Sequence, residues 1–100
     1  MDKLIGLLHL CRKAGKLKIG QKAVLSLHTG GHQPLILMAV DAGSGLKRKL
    51  AGCGTLTVGW SSEKMGVILG REKVSVLGIT DGGFAAEIKN VMKSERLLVI

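Results

Sequence analysis

Apolar residues recur along this chain in alternating helical and extended rhythms. Leu4, Leu7, Leu8 and Cys11 keep the i, i+3, i+4, i+7 spacing of an amphipathic helix. The spacing predicts a helix over 2–14, and Gly15 suits the left-handed residue that ends one. Leu17 and Ile19 alternate with Lys16 and Lys18, which predicts a short half-buried strand over 16–19. Gly20 opens a second helix reaching residue 30. Leu35 to Val40, bounded by Pro34 and Asp41, is a wholly apolar strand, and Leu46 and Leu50 mark a short helix over 44–52. Leu56, Val58 and Trp60 alternate with Thr55, Thr57 and Gly59 as a third strand. Ser61 or Ser62 caps a helix whose Met65, Ile68 and Leu69 face the core and which Gly70 ends. Val74 to Ile79 is a second continuous apolar strand, and such runs imply a sheet covered on both faces. Asp81 is an N-cap for a last helix with the stripe Phe84, Ala85, Ile88, Val91 and Met92. Strands alternating with helices predict an α/β sandwich of about four strands and five helices.

One hundred residues form one domain, 1–100, with no linker, repeat or low-complexity segment. The chain closes on the apolar tail Leu97-Leu98-Val99-Ile100, a β-prone strip that proteins pair or cover. It is expected to pack as an added edge strand on its own sheet or against a second copy of the chain. The longest apolar run, Leu35 to Val40, is far too short for a membrane span. His9, Arg12 and Lys13 interrupt any secretory signal, and Cys11 and Cys53 do not suggest a disulfide framework, so a cytoplasmic location is expected.

Charge adds a partner. The formal charge is +8, and it is uneven: residues 1–50 carry nine Lys or Arg against Asp2 and Asp41, whereas residues 51–100 carry six against five acids. An anionic partner fits this asymmetry. Arg12, Lys13, Lys16, Lys18 and Lys22 lie within one stretch that holds no acid. Gln21 and Lys22 occupy the first turn of the second helix, where the helix dipole favours Asp or Glu. A local rule broken at an exposed helix start points to a functional site, and free backbone N–H groups beside lysines form an anion cradle.

Catalytic chemistry is sparse. Gly43-Ser44-Gly45-Leu46-Lys47 follows a strand and precedes a helix, as a phosphate loop does, but Arg48 stands where that loop has Ser or Thr. A nucleotide-binding enzyme using Gly43 to Lys47 is therefore an alternative, and a flexible turn into a basic helix is the plainer explanation. His28 and His32 have i, i+4 spacing, yet Gly30 and Gly31 should end the helix between them, so no metal or other cofactor is expected. Cys11 belongs to a core stripe. Trp60 and Phe84 are the only aromatics, both on predicted core faces, which leaves no stacking platform for single strands. A basic strand and an exposed helix start suit a shaped, folded RNA. Lys16, Lys18 and Lys22 would meet phosphates, Gly20 would permit close backbone approach, and Gln21 would reach a base edge.

A family resemblance rests on several segments. They are Leu7-Leu8 with Arg12-Lys13-Ala14-Gly15-Lys16-Leu17 and Gly20, then Leu35-Ile36-Leu37-Met38-Ala39-Val40-Asp41-Ala42. Met65-Gly66 with Gly70, and Gly78-Ile79-Thr80-Asp81-Gly82-Gly83-Phe84-Ala85, complete them. Together they resemble the L-seven-Ae and L-thirty-e ribosomal protein family, in its bacterial YlxQ-like branch. The resemblance implies a three-layer α/β/α sandwich with a mixed sheet, and a non-enzymatic activity of binding kink-turn RNA, ribosomal RNA among the candidates. It implies RNA contacts at Gly20, Gln21, Lys22 and Ser26, and at Leu69, Gly70, Arg71, Glu72, Lys73 and Val74. Lys22 and Ala23 stand where archaeal members have an Asn-Glu pair, and Ser26 stands where Lys is usual. RNA binding is thus implied more broadly than strict kink-turn specificity. A general nucleic-acid or protein interaction module is the remaining alternative.

Overall fold

The computed structural model describes residues 3–29, 34–50 and 54–99. The expectations that touch Asp2, residues 30–33 including His32, residues 51–53 including Cys53, and Ile100 lie outside the described residues. The chain runs α1 (Lys3–Lys13), β1 (Leu17–Ile19), α2 (Gln21–Thr29), β2 (Leu35–Ala39), α3 (Ser44–Lys49), β3 (Leu56–Val58), α4 (Ser62–Ile68), β4 (Val76–Ile79), α5 (Gly82–Ser94) and β5 (Leu98–Val99). This is an α/β fold with a mixed sheet in the order β1-β4-β2-β3-β5. Only β2 and β3 are parallel, and α3 lies in the crossover between them. Five strands, not four, make the sheet. The fifth comes from the tail, whose Leu98 and Val99 pair antiparallel with Val58 and Thr57. The tail therefore packs within its own chain, as an edge strand.

Three strands are shorter than their apolar runs, β2 among them, since it stops at Ala39 and leaves Val40 exposed. Trp60 leaves the ladder after Val58 yet stays buried, and its carbonyl still accepts the Val40 amide at 2.9 Å. Val74 is buried outside β4 because its N–H turns to the Ser62 carbonyl at 3.0 Å. Helix ends follow the caps closely. Gly15 and Gly70 adopt φ +73 and +69, and Arg96 takes the same left-handed position after α5 at φ 55. All three helices close with the paired bonds of a Schellman motif: Lys16 to Cys11, Arg71 to Gly66 and Leu97 to Met92, each N–H to carbonyl, form the longer bond.

The sheet feeds a separate core on each face. Leu35, Leu37 and Ala39 of β2 and Leu77 and Ile79 of β4 pack with Leu4, Leu8 and Cys11 of α1, Met65 of α4 and Ile88, Val91 and Met92 of α5. The alternate residues Ile36, Met38 and Val76 pack with Val24 of α2 and with Ala42 and Leu50 on either side of α3. Each fully buried aliphatic side chain contributes roughly 1.5–3 kcal/mol. Fixing both faces of β2 and β4 also fixes where their ends, and the helices that follow, can lie.

Candidate nucleic-acid interface

Three helices start at one end of the sheet. The antiparallel register places the end of β1 beside the start of β4, with Ile19 opposite Leu77, and the end of β2 there too, with Met38 opposite Val76. Gly20 N–H donates to the Val76 carbonyl at 3.0 Å, and Ala39 N–H donates to the Ser75 carbonyl at 2.8 Å. Since β3 runs parallel to β2, α2, α3 and α4 all begin at this end.

The two segments implied by the family resemblance meet here. A cleft of about 380 Å³ is lined by Gly20 and Gln21 at the start of α2, Gly43 and Leu46 at α3, and Arg71, Lys73, Val74 and Ser75 before β4. Gly20 holds φ +100, a conformation that side-chain-bearing residues rarely adopt. Gly43 is the N-cap of α3, at φ −65 and ψ 154, and no side chain caps that helix. The cleft thus combines backbone at two helix starts with two cations and the half-buried side chain of Leu46. As site residues, Gly43 and Leu46 are signalled in the sequence only by the nucleotide-loop alternative, and Ser75 by nothing.

The other sequence-predicted residues divide. Lys22 and Ser26 are exposed and share a face of α2 at i, i+4. Lys18 is exposed on β1, a strand at the edge of the sheet. Gly70 and Glu72 are exposed on the loop after α4. Lys16 is exposed but sits at the opposite end of β1, where its carbonyl accepts the Thr80 N–H at 2.9 Å and the Thr80 hydroxyl at 3.2 Å. Leu69 and Val74 bury their side chains, at 1% and 3% exposure, so neither presents one to a partner on the surface.

The loop after α4 is held from two sides. Arg12 Nη1 donates to the Leu69 carbonyl at 2.6 Å, and His9 Nε2 donates to the Ile68 carbonyl at 2.7 Å. Both side chains of α1 thereby satisfy carbonyls at the C-terminus of α4, where cations are favoured. Asp41 tethers the other end of α4. Its Oδ1 accepts the Ser62 N–H at 2.8 Å and its Oδ2 the Ser62 hydroxyl at 3.2 Å. The Ser62 amide first, then its hydroxyl and the charge of Lys73, hold the Asp41 carboxyl below its ordinary range. In the core, burial and the negative charge of Asp81 push the Cys11 thiol up.

Among the described residues, no group of three or more His, Cys, Asp or Glu is placed to hold a metal ion. None of their helices is long and apolar enough to cross a membrane. No family model matches the chain, and no curated protein does either. Among solved structures the chain is similar to that of a protein with unknown function from Bacillus halodurans C, with 27% identity and a TM-score of 0.81, over 93% of this chain and 99% of that one.

Proposed function

We propose that the protein is a non-enzymatic, cytoplasmic binder of structured RNA of the kink-turn type, with ribosomal RNA the first candidate target. The observation that carries this is the meeting of Gly20 and Gln21 with Arg71 and Lys73 in one cleft, although some fifty residues separate them in the chain. A folded RNA offers phosphates on two strands and base edges between them. Backbone N–H groups at the start of α2, with Lys18 and Lys22, suit the phosphates of one strand. Arg71 and Lys73 suit the other strand, Gln21 a base edge, and the Glu72 carboxylate a base amine. Lys16 would meet the RNA backbone farther along, and Lys47, Arg48 and Lys49, exposed on α3, are peripheral candidates.

The Cys11 thiol is buried, and the His9 ring is bonded to Ile68. A nucleotide enzyme built on Gly43 to Lys47 would use the same cleft, but Lys47 is absent from its lining whereas Arg71 and Lys73 are present.

The test is competition between a kink-turn RNA and a plain duplex of equal length at one salt concentration. Tighter binding of the kink-turn is expected. Lys22→Ala should weaken it more than Lys93→Ala and lower the salt slope by about one. Equal affinities for the two RNAs would remove the kink-turn claim, and equal behaviour of the two variants would move the surface elsewhere.

A further inference from the structure

The segment that carries Arg71, Glu72 and Lys73 is shaped before any ligand arrives. Gly66, buried in the middle of α4, receives the Arg71 N–H on its carbonyl at 2.7 Å. A Cβ at Gly66 would stand 2.7 Å from the Arg71 carbonyl oxygen and 2.7 Å from that of Glu72, so any larger residue must displace this backbone. One turn later the Arg12 guanidinium grips the Leu69 carbonyl at 2.6 Å. Beyond the loop, Val74 N–H donates to Ser62 at the start of α4 at 3.0 Å. The loop is therefore bent back along the helix it leaves, and its carbonyls lie against the one position of α4 that lacks a side chain to keep them away. Glycine inside a helix is costly, and close approach of another backbone is the physical reason for tolerating it.

We propose that Gly66 and Arg12 are positioning residues that hold the 70–73 loop in its RNA-binding shape while touching no RNA themselves. The inference rests on the RNA-binding function proposed above. A loop fixed in advance loses little conformational freedom on binding, so its cations meet phosphates without an ordering cost. Arg12 lies in the acid-free cationic stretch, yet its guanidinium serves an internal carbonyl.

Amide hydrogen exchange on the RNA-free protein reads the clamp directly, and RNA affinity across a salt series reads its consequence. Gly66→Ala should speed exchange at the Arg71 amide at least tenfold while the Leu77 amide in the sheet is unchanged. Its affinity for a kink-turn RNA should fall about tenfold. Combining it with Arg71→Ala should cost less than the product of the two losses, because both act through one loop. Arg12→Ala, at an exposed position, carries the same test should Gly66→Ala fail to fold. It should loosen exchange at Gly70 and Arg71 and weaken binding with the salt slope of the wild type, whereas loss of a phosphate contact lowers that slope by about one. Unchanged exchange in the folded variants, or a loosened loop with undiminished affinity, overturns the proposal. So does Arg12→Ala with a tight loop and a reduced slope. A wild-type protein that does not prefer the kink-turn RNA overturns the proposed function instead, whatever the exchange data show.

Discussion

Two pairs of helix starts divide the labour in this molecule. α4 and α5 begin on side chains that satisfy their first amides: Ser61 accepts from Lys64 N–H at 3.1 Å, Asp41 accepts from Ser62, and Asp81 accepts from Phe84 N–H at 2.9 Å. α2 and α3 follow Gly20 and Gly43, residues with no side chain to offer, and both line the cleft beside Arg71 and Lys73. Carboxylates occupy the first pair and cations surround the second. Capped helix ends thus serve the fold and open ones remain available to an anion from outside, since a carboxylate already in place competes with a phosphate for the same amides.

The comparison predicts its largest effect where the cations are removed. Arg71→Ala combined with Lys73→Ala should weaken kink-turn RNA binding by about 3 kcal/mol, roughly a hundredfold, as two charge-assisted contacts are lost. The salt slope should fall by about two. Thermal stability should hardly change, because both side chains are exposed. A salt slope equal to that of the wild type would place the RNA away from this cleft.

A sharper test converts one kind of helix start into the other. Gly43 has φ −65, which Asp accepts, and a Cβ there meets nothing within 4 Å. Gly43→Asp should therefore give α3 the carboxylate cap that α5 has, adding a few tenths of a kcal/mol of stability. It should also put a negative charge in the cleft and reduce RNA affinity about tenfold, roughly 1.4 kcal/mol. Asp81→Ala should do the reverse, losing about 1 kcal/mol of stability with RNA affinity intact. Melting curves and binding isotherms on the two variants decide the matter. If stability and affinity moved together in both, capped and open helix starts would not differ in role.

Much of this contrast is legible in the chain. Gly15, Gly70, Ser61 and Asp81 announce their helix ends by residue type, and Lys22 in a first turn that holds no acid marks an unusual helix start. Arg96 announces nothing, although as a non-glycine residue at φ 55 it redirects the chain into β5; the apolar tail signals a strand that must pair, and only the fold shows that its partner is β3. The Arg71–Lys73 loop is suggested as a site by family resemblance alone, because only the β1–β4 pairing brings it to Gly20. The same pairing sets Lys16 apart. Four residues of extended chain, about 13 Å, separate it from Gly20. That Arg12 faces a carbonyl rather than solvent, and that Gly66 makes room for a loop, are tertiary facts with no periodicity to reveal them.

The smallest effect concerns Asp41, which ties the turn after β2 to the start of α4 and lies close enough to Lys73 to feel its charge. Hydrogen bonds from Ser62 keep its folded-state pKa below the ordinary value of 3.8. A depressed carboxyl pKa means that protons bind the unfolded chain more readily than the folded one. The contribution to stability is therefore complete well above the unfolded-state value and disappears as the pH falls through the folded-state value. Asp41→Asn keeps an acceptor for the Ser62 amide but removes the titration. Melting temperatures measured from pH 7 to pH 2.5 should show a small advantage of the wild type that is constant down to about pH 4.5 and then closes. RNA affinity at neutral pH should be nearly unaffected, since Asp41 caps a helix that the cleft does not use. A gap that persists at the lowest pH would assign the role of Asp41 to shape rather than charge, and a loss of RNA binding at pH 7 would blur the line between the closed helix starts and the open ones.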